Sequence, residues 1–123
     1  MNHGEVLMDA KIDNLKKRSS YKAVAAHGVC YVSTAFILQV GKKMKDAPDM
    51  IRFGFTTSRK VGGAVERNRV RRQLKELARQ VIAPHIERGR DYVLVGRRRA
   101  LKTPFQAMVL EAQKAMRKLK VEL

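Results

Sequence analysis

Cysteine, acidic residues and long apolar runs are all scarce in this chain. Cys30 is the only cysteine, which excludes an internal disulfide and a cysteine-based zinc cluster and fits a reducing compartment. No stretch approaches the length of a membrane-spanning run, and Glu5 and Asp9 precede any apolar block, so the layout of a signal peptide is missing. A cytoplasmic protein with no membrane partner is expected. The 11 acidic residues face 27 Lys and Arg, giving a formal net charge of +16. None of the acids falls between Asp13 and Asp46, where Lys16, Lys17, Arg18, Lys22, Lys42, Lys43 and Lys45 all lie. Such an imbalance points to a polyanionic partner.

Catalytic constellations are also lacking. His3, His27 and His85 are scattered, and Asp46 and Asp49 have no third carboxylate nearby in sequence to complete a two-metal site. No catalytic residue, protein-bound metal or other protein-bound cofactor is expected, and the side chains do not suffice for hydrolysis alone.

What the sequence does hold is a folded scaffold. At 123 residues, 45% of them hydrophobic and periodic, it is sized for one domain with its own core. The first thirteen residues show no period and are expected to be a flexible segment, with the domain running from 14 to 123. Ser19 or Ser20 can cap a first helix that carries Tyr21, Val24 and Ala25 and stops at Gly28. Val29 to Val40 is rich in β-branched and aromatic residues, and IRFGFTTS alternates with period two, so two or three antiparallel strands follow, joined across GKKMKDAPD by a hairpin-like connection. Val70, Leu74, Leu77 and Val81 define one stripe of a helix limited by Pro84. DYVLVGRR reads as a further strand after the turn Arg88-Gly89-Arg90. Thr103-Pro104-Phe105-Gln106 has the pattern of a helix start, with Thr103 as its cap. The order is αβββαβα, an α+β sandwich without linker, repeat or low-complexity tract.

The charge concentrates on the second helix. With Val70 at the origin of a helical wheel, Arg67, Asn68, Arg71, Arg72, Lys75 and Arg79 spread over roughly 60° to 200°, away from the buried stripe. Arg69 lies on the other flank beside Gln73. Only Glu66 and Glu76 interrupt the pattern, and like charges at i and i+4 disfavour the isolated helix, so a phosphate backbone is the natural counterpart. Ser58-Arg59-Lys60-Val61-Gly62-Gly63 leads into this helix. It lacks the spacing of a P-loop and reads equally well as a plain turn or as a phosphate contact. Tyr21, flanked by Lys17, Arg18 and Lys22, is either a core aromatic or a stacking platform for an unpaired base. Phe36, Phe53, Phe55 and Phe105 belong to the core stripes.

The run RFGFTTSRKVGGAVERNRVRRQLKE resembles the signature of the bacterial ribonuclease P protein family, with its Ser-(Lys/Arg)-Lys-x-Gly-x-Ala-Val turn and Arg-Asn-Arg box. LKKRSSYKAVAAHG and GRDYVLVGRR extend the resemblance over nearly all of the chain from Asn14. It implies a ribosomal S5 domain 2-like fold with an unusual left-handed βαβ crossover. It further implies the protein subunit of a ribonucleoprotein endoribonuclease, in which a catalytic RNA using Mg²⁺ removes the 5′ leader of precursor tRNA. No obligate protein partner is implied. The residues carried over for RNA contact are Arg59, Lys60, Arg67, Asn68, Arg69, Arg71, Arg72 and Lys75, and those for a leader groove are Lys17, Tyr21 and Arg71. Where many members have further aromatics, this chain has Ala25 and Gln39. The alternative function is that of a ribosomal or other structural RNA-binding protein.

Overall fold

The computed structural model describes the backbone of residues 11–122. Its elements are β1 (Lys11–Asn14), α1 (Arg18–His27), β2 (Val29–Val32), β3 (Phe36–Lys43), β4 (Met50–Thr57), α2 (Ala64–Leu77), β5 (Arg90–Gly96) and α3 (Phe105–Glu122). The five strands form one mixed sheet in the order β1-β4-β5-β3-β2.

Two departures from the expected arrangement concern this sheet. Lys11–Asn14, which has no hydrophobic period of its own, pairs in parallel with β4, Lys11 against Met50 through Asn14 against Phe53. An edge strand needs backbone partners more than apolar side chains, so pattern alone does not reveal it. The rest of the expected flexible segment, residues 1–10, lies outside the described residues. Secondly, β3 and β4 do not form a hairpin. Only β2 and β3 pair as antiparallel neighbours in sequence, and β5 inserts between β3 and β4, antiparallel to the first and parallel to the second. Tyr92, Val93 and Leu94 explain this choice: all three are buried, a continuous run that needs cover on both faces and therefore takes a central position.

Period two then sorts the sheet's side chains between two layers. Phe36, Leu38 and Val40 of β3, Ile51 and Phe53 of β4, and Tyr92 and Leu94 of β5 pack in the main core with Val70, Leu74 and Leu77 of α2 and Met108, Ala112, Ala115 and Leu119 of α3. The second face is thinner, with Leu15, Val24 and Val93 as its buried residues and Tyr21 and Val95 packed against them. Each fully buried large side chain contributes about 1.5 to 3 kcal/mol, so the main core supplies most of the stability and α1 is the lighter cover.

The helix ends differ from the sequence expectation in detail. Lys17, not Ser19 or Ser20, is the N-cap of α1 and makes no side-chain capping bond, while Gly28 ends the helix with φ 79°. The stripe of α2 continues past Leu77 through a π turn at Ala78–Ile82 and a 3₁₀ turn at Ala83–His85, where Pro84 sits. Thr103 donates its hydroxyl to the Arg99 carbonyl at 2.7 Å, and the carbonyl of Pro104 opens α3 by accepting from Ala107 and Met108.

Beneath α1, Arg52 and Asp91 form a two-pronged ion pair, Nε to Oδ1 at 2.7 Å and Nη2 to Oδ2 at 3.0 Å. Asp91 is buried, and the paired geometry compensates for its lost hydration.

Candidate nucleic-acid interface

The α2 surface begins with the close seat of the helix on the sheet. A Cβ at Gly96 would lie 2.4 Å from Cγ1 of Val70, so glycine at the end of β5 is what lets Val70 descend onto the strand. With Val70, Leu74 and Leu77 all buried, the other positions of α2 are exposed or half-buried. Asn68, Arg69, Arg72 and Lys75 are exposed, and Arg67 and Arg71 are half-buried.

Local hydrogen bonds organise this surface. Arg71 donates from Nη2 to Oδ1 of Asn68, so the asparagine orients the guanidinium rather than standing apart from it. Arg79 pairs with Glu76 at 2.8 Å, and Gln80 donates to the same carboxylate at 2.7 Å. The Arg79 and Gln80 bonds hold the Glu76 carboxyl below the usual carboxylate range. Among the described residues, Arg67, Arg69, Arg71, Arg72 and Lys75 form no ion pair.

The turn before α2 is tightly built. Ser58 accepts the Lys60 N–H on Oγ at 3.2 Å and donates its own N–H to the Gly96 carbonyl at 3.0 Å. Gly62 has φ 144° and ψ −152°, a conformation that L side chains rarely adopt. The Glu66 side chain folds back over both glycines, its Oε2 only 3.1 Å from where a Gly63 Cβ would stand. The chain's own carboxylate therefore attends the helix N-terminus, and the outward anion contacts left to this turn are the exposed Arg59 and Lys60.

On the opposite face of the sheet, a cleft beside α1 is lined by Lys16, Arg18, Tyr21, Gln39, Phe55, Thr56 and Val93. Tyr21 is half-buried and donates its hydroxyl to the Leu15 carbonyl at 3.1 Å. Its ring lies directly over Gly54, where a Cβ would meet Cε1, Cζ and Oη at 2.5, 2.6 and 2.7 Å. Tyr21 is thus anchored on the sheet while its side chain lines the cleft. The cations in the lining are Lys16 and Arg18, the neighbours of the expected Lys17. Arg71 is carried by α2 across the sheet and is not part of the lining. Ala25 is exposed, while Gln39 lies in the cleft.

No group of three His, Cys, Asp or Glu side chains among the described residues could hold a metal ion.

Charge and geometry together fit the class of polyanion-binding proteins, with a basic helix face on one side of a sheet and an open cleft lined by Tyr21 and Phe55 on the other. The family model Ribonuclease P matches residues 10–120. The ribonuclease P protein component of Paramagnetospirillum magneticum is 37% identical over 91% of this chain and 86% of its own length. That of Gluconacetobacter diazotrophicus is 38% identical over 90% and 94%. Among solved structures, a variant of the Staphylococcus aureus RNase P protein superposes with a TM-score of 0.73 at 20% identity, covering 87% of each chain. The Thermotoga maritima protein gives 0.69 at 20% identity over 85% of this chain and 96% of that one. The chain belongs to the ribonuclease P protein family. It is accordingly a protein component of that ribonucleoprotein enzyme, and no match favours the ribosomal alternative.

Proposed function

We propose that the two faces divide the work of the holoenzyme. The outer face of α2 and the Arg59-Lys60 turn bind the catalytic RNA, and the cleft beside α1 takes the single-stranded 5′ leader of precursor tRNA. The carrying observation is the row Arg67, Arg71, Arg72 and Lys75, with Arg69 on the other flank, on a helix seated by its buried stripe and lacking ion-pair partners among the described residues. Fixed cations gain by displacing counterions condensed on RNA.

In this reading the Mg²⁺ that serves the reaction is held mainly by the RNA. The protein contributes binding and orientation, with no side chain assigned to activate water. A cytoplasmic setting fits the exposed, unpaired thiol of Cys30, and no helix among the described residues is long and apolar enough to cross a membrane.

The test is the triple variant Arg67→Ala, Asn68→Ala, Arg72→Ala. All three side chains lie off the buried stripe, so the melting temperature should hold while affinity for the catalytic RNA falls. The slope of log affinity against log salt should shrink by about 2, one for each cation removed. A folded variant with the parent's affinity and slope would end this reading.

A further inference from the structure

A second basic surface stands at the end of the sheet. After β5 leaves the core at Gly96, the chain runs Arg97-Arg98-Arg99-Ala100-Leu101-Lys102 and forms a 3₁₀ turn at Arg98–Lys102. This turn packs against the one at Arg59–Val61, because β4 and β5 are parallel neighbours that end side by side at Thr57 and Gly96. Two basic segments about forty residues apart in sequence therefore meet.

The 98–102 turn is braced. Arg97 donates its N–H to the Ala35 carbonyl at 2.9 Å and its Nη1 to the Ser33 carbonyl at 2.7 Å, tying the start of the turn to the β2–β3 connection. Ala100 is fully buried, and its N–H reaches the Arg97 carbonyl at 2.9 Å. Thr103 closes the far end through its hydroxyl bond to Arg99. Arg98, Arg99 and Lys102 project from this frame, beside a depression lined by Thr34, Arg97, Arg98, Arg99 and Lys102. Arg98 and Arg99 are exposed, as is Lys102, and none has an ion-pair partner among the described residues.

A solvated loop would hold such charges loosely and mixed with acids. Here like charges are held together on a rigid turn, and the carboxylate at the adjoining turn, Glu66, is folded over Gly62 and Gly63. An external anion would relieve their repulsion. No aromatic side chain lines the depression, so stacking on unpaired bases has no platform and phosphates are the groups these cations can reach.

We propose that Arg98, Arg99 and Lys102 form, with Arg59 and Lys60, a phosphate-binding surface for the backbone of the structured catalytic RNA, separate from the α2 row and from the leader cleft. This rests on the assignment of that RNA as partner. Its consequence is a footprint that wraps from the outer face of α2 around the end of the sheet.

The test compares the parent with Arg98→Ala, Arg99→Ala, Lys102→Ala, leaving Arg97 in place. Each binds an in vitro transcript of the ribonuclease P RNA from the same genome over a salt series. The variant should fold, bind at least tenfold more weakly at moderate salt, and lose up to about 3 from the salt slope. A second variant, Arg98→Lys, Arg99→Lys, keeps the charge and should retain the parent's slope, whereas a merely structural role for the guanidinium groups would lower stability and affinity together. The reconstituted holoenzyme should show the same ratio of affinities for leader-bearing and mature tRNA as the parent. Unchanged binding of the triple variant, in a parent that binds the transcript, would overturn the proposal. So would a loss confined to leader-bearing substrate, or equal losses in the lysine and alanine variants. A parent that does not bind the transcript would overturn the partner assignment itself.

Discussion

Replacing Gly54 with alanine probes the leader cleft through a residue buried beneath its tyrosine. The new methyl would stand 2.5 to 2.7 Å from three atoms at the end of the Tyr21 ring, whereas carbon atoms pack at about 3.5 to 4 Å. The ring must therefore lift by roughly 1 Å, and the 3.1 Å bond from its hydroxyl to the Leu15 carbonyl stretches out of hydrogen-bond range. Losing that bond costs about 0.5 to 1.5 kcal/mol. Alanine in a strand returns about 0.5 to 1 kcal/mol that glycine loses in backbone entropy. Stability should thus change by less than about 1 kcal/mol, a few degrees in melting temperature.

Leader binding should change more. A base stacked on an aromatic ring gains about 1 to 3 kcal/mol, and a displaced ring that forfeits about 1 kcal/mol of this weakens binding roughly fivefold. Fluorescence anisotropy on the reconstituted holoenzyme, with leader-bearing and mature tRNA side by side, reads the difference. The leader-bearing substrate should weaken and the mature tRNA should not. Equal losses would refute the reasoning, as would unchanged binding in a variant whose ring-current shifts show that Tyr21 has moved.

Tyr21→Ala should weaken leader-bearing substrate about tenfold and also lower the melting temperature, because the ring packs against the Leu15, Val24 and Val93 cluster; Tyr21→Phe should keep most of the leader affinity. Arg52→Met should destabilise by about 2 kcal/mol in urea titrations by leaving the buried Asp91 without its cation. Burial pushes the Tyr92 hydroxyl well above its ordinary value of 10.0, so its contribution is intact below about pH 10 and is lost as pH rises toward the folded value. Tyr92→Phe should therefore flatten alkaline unfolding, while costing the 2.6 Å bond to the Glu87 carbonyl. The protein without RNA should leave precursor tRNA intact at any Mg²⁺ concentration, and adding it to its RNA should lower the Mg²⁺ needed for cleavage; RNA-free cleavage that survives nuclease treatment would contradict this.

Local periodicity is enough to find α2 and its outward cations, since one buried stripe of Val70, Leu74 and Leu77 fixes where every other position points. It also identifies β5 as a strand, though the central position follows only once its two-faced burial is recognised. Pairing partners are a different matter. Four residues without a period, Lys11–Asn14, carry no sign of the strand they join, and turn-like residues between β3 and β4 suggest a hairpin that the insertion of β5 prevents. Likewise Gly54 and Gly96 look like ordinary strand glycines until Tyr21 and Val70 are seen resting on them. The family pattern brings Tyr21 to the cleft. It does not single out Lys16 and Arg18, which line the cleft because Lys17 between them is extended and adjacent side chains on extended backbone alternate.

The insertion of β5 between β3 and β4 also sets a timetable for the ribosome. While the chain is emerging, β2 and β3 can close as a hairpin, but β4 has only the four-residue β1 beside it, and the inner edges of β3 and β4 stay open until residues 90–96 arrive. These edges can pair with other chains during that interval. Cooperative folding must wait for the last third of the sequence, when β5 seals the sheet and α3 completes the main core in close succession. A polypeptide halted before Gly96 would be a basic fragment without its central strand, and its cations would meet cellular RNA before they had a surface on which to be arranged.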